Sequence, residues 1–544
     1  MGFGNLGDLI PRERDLSKVA LIDLGGDQSP REFTFAAIDE MANGVARALA
    51  KRGLNRGDRV ALLSANRAEY LAAYYGIMRA GFVAVPVNFK FPRETIHFII
   101  GDAGAKLVFC DAARAADCPS DLPAVCFDSS LRAKRSNPGA AHSEQAAPGL
   151  LRRSAPRNDA TAFDAFLDPG LFEAVTPYKD APAMFLYTSG STGTPKGVVL
   201  SHQSHIWVVE TRLAPGLDRH RYLIAAPLYH MNALALAKLA CAAHATIVLL
   251  PQFDARAYIA AIGQYRCTWL TAVPPMIAMM LRERDLLART DLSSVEFVRM
   301  GSAPVSAALM AALHGALPRA AVTNAYGTTE AGPVVFGPHP RGLPQPELSV
   351  GYPHPKVSLR LVDGENRNAE QGVLEMKCPA MMLGYHNRLA PSPPSAASGG
   401  GEERGPITPD GFYITGDVFR RDADGFHYFV GRTDDMFVSG GENIYPADVE
   451  RMLERHHDIA QAAVVPIEDD IKGHKPVAFV IRKPGHALDD ESVKRFALKH
   501  APAYQHPRFV WFVDELPLAS TNKLDRAALQ RMAEEYVSRA QRST

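Results

Sequence analysis

Leu186-Tyr187-Thr188-Ser189-Gly190-Ser191-Thr192-Gly193-Thr194-Pro195-Lys196-Gly197-Val198-Val199-Leu200 fixes the architecture expected of this chain. An apolar run ends at Tyr187, and the residues from Thr188 to Pro195 are nearly all small, hydroxylated or glycine. Glycines let a loop turn tightly and bring its amides close to a ligand. The hydroxyls add donors and Lys196 adds a positive charge, a set that suits a polyphosphate. It is not the common P-loop, which places Gly directly before the lysine and Ser or Thr directly after it. Here Pro195 and Gly197 flank Lys196. Val198, Val199 and Leu200 continue as a strand, and Ser201 is placed to cap a helix from about His202. The loop is therefore expected to join two strands and not to open a helix, which argues against a kinase or P-loop ATPase.

With 544 residues, the chain exceeds a single core, so at least two domains are expected. Its 59 basic and 59 acidic residues balance, which gives no footprint for nucleic acid. Six scattered cysteines match no zinc spacing and point to a reducing, cytoplasmic setting. Residues 1–15 lack the apolar core of a signal peptide, and no run reaches the roughly 20 apolar residues that span a bilayer. Nothing in the sequence speaks against a homodimer.

Residues 33–104 alternate in character. Phe33, Thr34 and Phe35 open a helix to about Lys51, followed by a strand at 60–63, a helix at 71–79, a strand at 82–87 and a helix at 95–101. A strand at 107–110 follows. This rhythm implies a parallel sheet covered by helices. Residues 129–159 break it. They are basic and rich in Ala, Pro and Ser, cannot bury enough apolar surface to fold alone, and read as a disordered insertion in a surface loop. Further strands are expected at 246–250, 269–273 and 296–300, with helices at 255–264 and 275–287. Residues 391–406, rich in Pro, Gly and Ser, read as a flexible loop. Beyond 433 the pattern is a compact α+β unit, with a helix at 447–456, strands at 464–466 and 477–481, and a helix at 491–500.

Several short segments carry chemistry. Thr323-Asn324-Ala325-Tyr326-Gly327-Thr328-Thr329-Glu330-Ala331-Gly332 offers an aromatic face for a base, hydroxyls for a phosphate and one carboxylate for a divalent cation. Magnesium prefers such oxygen donors, shared with substrate phosphates. Asp417, closing Phe412-Tyr413-Ile414-Thr415-Gly416-Asp417, can accept both hydroxyls of a ribose. Alone it would be a turn aspartate, and Arg432-Thr433-Asp434-Asp435 alone would be a surface charge cluster. Pro227-Leu228-Tyr229-His230, Met300-Gly301-Ser302-Ala303-Pro304, Phe437-Val438-Ser439-Gly440-Gly441-Glu442 and Ala519-Ser520-Thr521-Asn522-Lys523-Leu524-Asp525-Arg526 complete the set.

In this order, across most of the chain, these segments resemble the adenylate-forming superfamily, and within it the acyl-CoA synthetase branch. The resemblance implies a large N-terminal α/β domain with packed sheets and helices (1–432) and a small mobile C-terminal α+β domain (433–544). It implies ATP, Mg²⁺ and coenzyme A as cosubstrates and cofactor, and a small-molecule carboxylic acid as substrate. Thr188, Ser189, Gly190, Ser191, Thr192, Gly193, Thr194 and Lys196 would hold phosphates. Asn324, Ala325, Tyr326, Gly327, Thr328 and Thr329 would hold the nucleotide, Tyr326 by stacking on adenine and Thr329 at the α-phosphate. Asp417 would take the ribose together with Arg432, and Glu330 would hold Mg²⁺ with Thr188. Lys523 would be the catalytic lysine and Asp434 the hinge, while Gly440 and Gly441 would approach the pantetheine. His230 would gate the acid pocket, lined by Met231, Gly301, Ser302, Ala303 and Ala325. Most relatives have Gly before the lysine; Asn522 stands here, a mild departure because Asn tolerates positive φ. The acid stays open between a fatty chain and an aryl ring, with Lys238 the one charge nearby that could meet a second carboxylate. A carrier protein in place of CoA also stays open. A non-catalytic nucleotide binder is disfavoured by the joint presence of Glu330, Asp417, Arg432 and Lys523, and luciferase-type oxidation has no positive feature.

Overall fold

The computed structural model describes residues 2–25, 29–128, 161–188, 194–387, 406–439, 442–469, 472–519 and 523–542. The insertion at 129–159, the centre of the phosphate loop (Ser189, Gly190, Ser191, Thr192 and Gly193), most of the loop at 391–406, and Gly440 and Gly441 lie outside them. The chain divides into two compact units, residues 1–254 with 380–392, and residues 255–379 with 393–544.

In the first unit, one sheet runs in the order Gly384–Tyr385, Lys196–Ser201, Pro182–Thr188, Val83–Pro86, Arg59–Leu63, Ala105–Cys110, Ala124–Cys126 and Thr161–Ala162. Its middle and far strands are parallel. Arg59–Leu63 is apolar after its first residue, as a strand covered on both faces must be. The helix Ala68–Arg79 is buried along its whole length, which fits a helix enclosed on every side. Its one cation there, Arg79, is compensated by Asp39 at 2.8 Å and Asp8 at 3.5 Å. A second set of strands comprises Arg221–Ile224, Thr246–Leu249, Val19–Asp23 and Arg31–Thr34.

Pro182–Thr188 and Lys196–Ser201 pair antiparallel, with Thr188 opposite Lys196, so the phosphate loop closes a hairpin as its composition implied. Ser201 then caps the helix His202–Arg212, its hydroxyl accepting from the Ser204 amide at 3.1 Å.

The second unit contains three parallel strands, Trp269–Ala272, Phe297–Gly301 and Ala321–Ala325. It also contains an antiparallel sheet of Ser358–Val362, Gln371–Lys377, Tyr413–Arg421 and His427–Arg432. The C-terminal sheet, built on Ile459–Asp469 and Gly473–Arg482, is apolar on both faces. Ala462 and Val464 pack toward Val449, Leu453 and Val493, whereas Ala463, Val465 and Ile467 pack toward Leu529 and Ala533. Alternation with a period of two puts each set on its own face, each covered by helices.

Three local expectations are corrected. Phe33 and Thr34 do not begin the first helix; they end the strand Arg31–Thr34, paired antiparallel with Val19–Asp23. The helix Phe35–Ala50 follows, capped by the Thr34 hydroxyl. Both residues are β-branched or aromatic, so the nearby strand partner decides their state. The stretch 275–287 is two helices, Pro274–Arg282 and Arg284–Arg289, because Glu283 leaves helical geometry at ψ 54°. The helix expected to reach His456 ends at Leu453.

Candidate active site

Asp417 and Arg432 face each other as register partners on neighbouring antiparallel strands. Arg432 Nη1 donates to Asp417 Oδ1 at 2.6 Å, and its Nη2 donates to Asp434 Oδ2 at 3.2 Å. The Tyr326 hydroxyl donates to the other Asp417 oxygen at 2.5 Å. Asp417 is only 5% exposed, and burial raises its pKa against the pull of Arg432, Tyr326 and Lys523. Burial, then Asp417, raises the Tyr326 pKa well above its ordinary value, so the phenol keeps its proton and remains a donor. The ring is held edge-on by Phe419 at 4.8 Å and by Phe336 at 6.0 Å.

The loop after Tyr326 is tight for a reason visible at Gly327. A Cβ there would lie 2.7 Å from Pro333 Cα and 2.8 Å from the Gly332 carbonyl oxygen. The Thr328 amide donates to the Gly332 carbonyl at 3.3 Å, and the Ala331 amide to the Thr328 hydroxyl at 3.0 Å. Thr329 and Glu330 ride on this closed turn, with Glu330 9% exposed. Asn324, one strand position before Ala325, donates to the Leu348 carbonyl at 3.0 Å. Gly301 ends its strand where a Cβ would meet the Ala325 carbonyl at 2.7 Å, and Ser302 follows in the left-handed region at φ 68°. Such a residue carries about 1–3 kcal/mol of strain, of the kind that collects at ligand-contacting loops. Ala303 completes that loop.

Lys523 projects from a turn in which the Ala519 amide donates to the Lys523 carbonyl at 2.7 Å. The residue keeps solvent access, yet enough protein surrounds its ammonium that desolvation lowers its pKa. Asp417 and Glu330 pull it back up and Arg432 pushes it down, which puts all four groups within electrostatic reach of one another. Arg526, which closes the segment bearing Lys523, and Glu450, which no sequence pattern marks, secure this turn. Arg526 donates to both Glu450 oxygens at 2.9 and 3.0 Å, and lies 3.4 Å from Asp435. An arginine three positions past a lysine carries no signal by itself; the pairing spans 76 positions.

In the first unit, Thr188 and Lys196 are the paired ends of the hairpin, with Thr194 exposed between them. Lys196 Nζ lies 5.7 Å from the Tyr385 ring centroid. His230 occupies the N-cap position of the helix Met231–Ala242, its ring edge-on to Tyr229 at 4.6 Å. Lys238 is fully buried in the same helix, 3.2 Å from His205 Nδ1, and burial, reinforced by Arg212, lowers its pKa to about 7.

The AMP-binding enzyme family matches residues 12–386, and the AMP-binding enzyme C-terminal domain matches residues 448–523. The chain belongs to this family. Within it, the chain is 32% identical over 525 residues to 4-coumarate–CoA ligase 2 of Oryza sativa subsp. japonica, covering 92% of this chain and 87% of the relative. It is 30% identical over 512 residues to the fatty acid–[acyl-carrier-protein] ligase ScoC of Streptomyces coeruleorubidus, covering 92% and 91%. The anthranilate CoA ligase AuaEII, solved with anthranoyl-AMP, shares the fold at TM-score 0.81 and 23% identity, covering 99% of this chain and 98% of that one. The protein is an adenylate-forming enzyme of the acid–thiol ligase class, in the acyl-CoA ligase branch. Among the described residues, no helix is long and apolar enough to cross a membrane.

Proposed function

We propose that this family member is an ATP-dependent acyl-CoA ligase. It activates a fatty or aryl carboxylic acid as an acyl adenylate, then passes the acyl group to coenzyme A. The observation that carries this reading is the convergence of Tyr326, Asp417, Arg432, Glu330 and Lys523 within one unit.

A carboxylate is a poor electrophile, and attack of its oxygen on the α-phosphorus of ATP gives a mixed anhydride and expels pyrophosphate. Charge gathers on the phosphoryl oxygens in that step, so cations fixed beforehand supply most of the acceleration. Lys523 is the cation assigned to it. Tyr326 stacks on the adenine, Asp417 and Arg432 hold the ribose, and Thr329 meets the α-phosphate. The hairpin from Thr188 to Lys196 carries the outer phosphates. Glu330, a buried carboxylate close to Lys523, fits Mg²⁺ chemically, with Thr188 as a second oxygen donor; bound Mg²⁺ would neutralise phosphate charge. Gly301, Ser302, Ala303 and Ala325 are assigned to the wall of the acid pocket, and His230 and Met231 to contact with the acid. For the thiol step, the C-terminal domain (433–544) turns about Asp434 against residues 1–432, withdrawing Lys523 and bringing in Gly440 and Gly441. Such motion can limit turnover. The enzyme works in the cytoplasm, alone or as a homodimer.

Transfer to a carrier protein is the second reading, favoured by the likeness to ScoC. Pyrophosphate release with ATP and Mg²⁺ across aliphatic acids, benzoates, cinnamates and amino acids, with and without CoA, separates the two. CoA-dependent turnover on one acid class is expected. Release that ignores CoA, or needs an added carrier protein, would refute the CoA assignment.

A further inference from the structure

Arg299 is a half-buried cation of the second unit, and among the described residues no carboxylate balances it. It lies in the strand Phe297–Gly301, in register with Thr271 on one side and Thr323 on the other. Strand side chains alternate between faces. Val298 and Met300, both 0% exposed, enter the core, so Arg299 points to the opposite face. Gly301 and Ala325 form the next register pair on that face, about 7 Å further along at the usual rise of a strand. They are the residues assigned above to the wall of the acid pocket, and the inference rests on that assignment.

One Arg299 nitrogen, Nη2, donates to the Pro333 carbonyl at 3.0 Å. Among the described residues no acid pairs with the guanidinium. Other arginines differ: the buried Arg79 has Asp39, and Arg432 and Arg526, though partly exposed, have Asp417 and Glu450. Enclosed charges are normally paired, because desolvating an unpaired one is costly. Desolvation lowers the Arg299 pKa, but a guanidinium stays charged at neutral pH. Its remaining donors form a planar fork that matches a carboxylate with two parallel bonds. Lys238, the charge that the sequence offered for this task, is fully buried against His205 between two packed helices.

We propose that Arg299 receives a second carboxylate at the far end of the substrate, so that the acid activated is a dicarboxylic acid, aliphatic or aryl. Thr323, exposed and the register partner of Arg299 on the same face, offers a hydroxyl there. A monoacid filling the same pocket leaves the guanidinium without its partner, which is a strong basis for discrimination.

The test uses the full chain as wild type, Arg299→Met and Arg299→Lys. Acid-dependent ATP–pyrophosphate exchange is measured on matched pairs: hexanoate and adipate, octanoate and suberate, benzoate and terephthalate, cinnamate and 4-carboxycinnamate. Binding of each acid without ATP is measured by calorimetry. Wild type is expected to favour one diacid over its monoacid by roughly 10²-fold in kcat/KM, and Arg299→Met to erase that preference, chiefly through KM. Arg299→Lys should keep part of it. Wild-type preference for monoacids would overturn the assignment. So would an equal loss on both members of a pair, confined to kcat, since that is the mark of a tether for the Pro333 loop. Calorimetry separates this idea from the ligase reading: diacid binding that depends on Arg299, without exchange, sinks only the ligase. Exchange with no diacid preference sinks only the role of Arg299, and absence of both binding and exchange sinks both.

Discussion

Replacing Arg526 with methionine tests how the turn bearing Lys523 is held. The guanidinium makes two bonds to Glu450, at 2.9 and 3.0 Å, and a third to the Val464 carbonyl at 3.0 Å. The Glu450 side chain is 9% exposed and also accepts from the Val464 amide at 2.8 Å. Arg526→Met keeps the aliphatic stem and leaves that carboxylate enclosed with one donor. Removing one partner of a buried ion pair costs about 3–5 kcal/mol. Because 25% of the Arg526 side chain meets water, the lower end, about 3 kcal/mol, is expected. For a C-terminal domain of this size, the domain's Tm should fall by roughly 15 °C. Calorimetry on the full chain reads the domain transition, and the cycle with Glu450→Gln should give a coupling of about 2 kcal/mol. Adenylation should weaken as well, since Lys523 and Arg526 share one turn. A loss below about 0.5 kcal/mol, the range of an exposed pair, or full additivity with Glu450→Gln would refute the anchor.

Gly327→Ala places a methyl 2.7 Å from Pro333 Cα, a backbone atom that cannot rotate away. The turn carrying Thr329 and Glu330 must open, and adenylation should fall roughly 10²-fold, as for an ångström-scale displacement of reacting groups. Unchanged ATP affinity and rate in a folded variant would contradict this. Lys238→Met should alter the pH dependence of stability. The folded state holds this lysine at a pKa of about 7 against the ordinary 10.5, so between those values the folded chain binds fewer protons than the unfolded one and stability rises with pH. Wild type should gain about 2 kcal/mol from pH 7 to pH 9 relative to Lys238→Met, as read by urea unfolding. Parallel pH profiles would mean that Lys238 is not desolvated.

The hairpin around the phosphate loop was legible because small and hydroxylated residues sit between two β-prone runs, and both signals are local. The cap at Ser201 was legible for the same reason. Phe33 and Thr34 were misread because their state depends on pairing with Val19–Asp23, a partner that a window on 33–51 does not contain. The break at Glu283 rests on a single backbone angle inside a continuous apolar pattern. The strand Gly384–Tyr385, which returns to pair with Val198 and Val199, lies far along the chain from its partner. Nucleotide-motif residues such as Tyr326 and Asp417 could be found by motif, but their direct hydrogen bond could not. The pairing of Arg526 with Glu450, and Arg299 with no acid partner among the described residues, became visible only when burial and partners were known, because neither property is written in a local pattern.

The most direct measurement is a pair of half-reactions for Lys523→Ala. Adenylation is followed as acid-dependent pyrophosphate release in a single turnover, and thioester formation is started from supplied acyl adenylate and CoA. The variant should lose adenylation by roughly 10²–10³-fold, the scale of one donor aimed at developing charge, while thioester formation stays near wild type. Equal loss in both half-reactions, or no loss in either, would contradict the assignment of Lys523 to the first step and the two-step chemistry built on it.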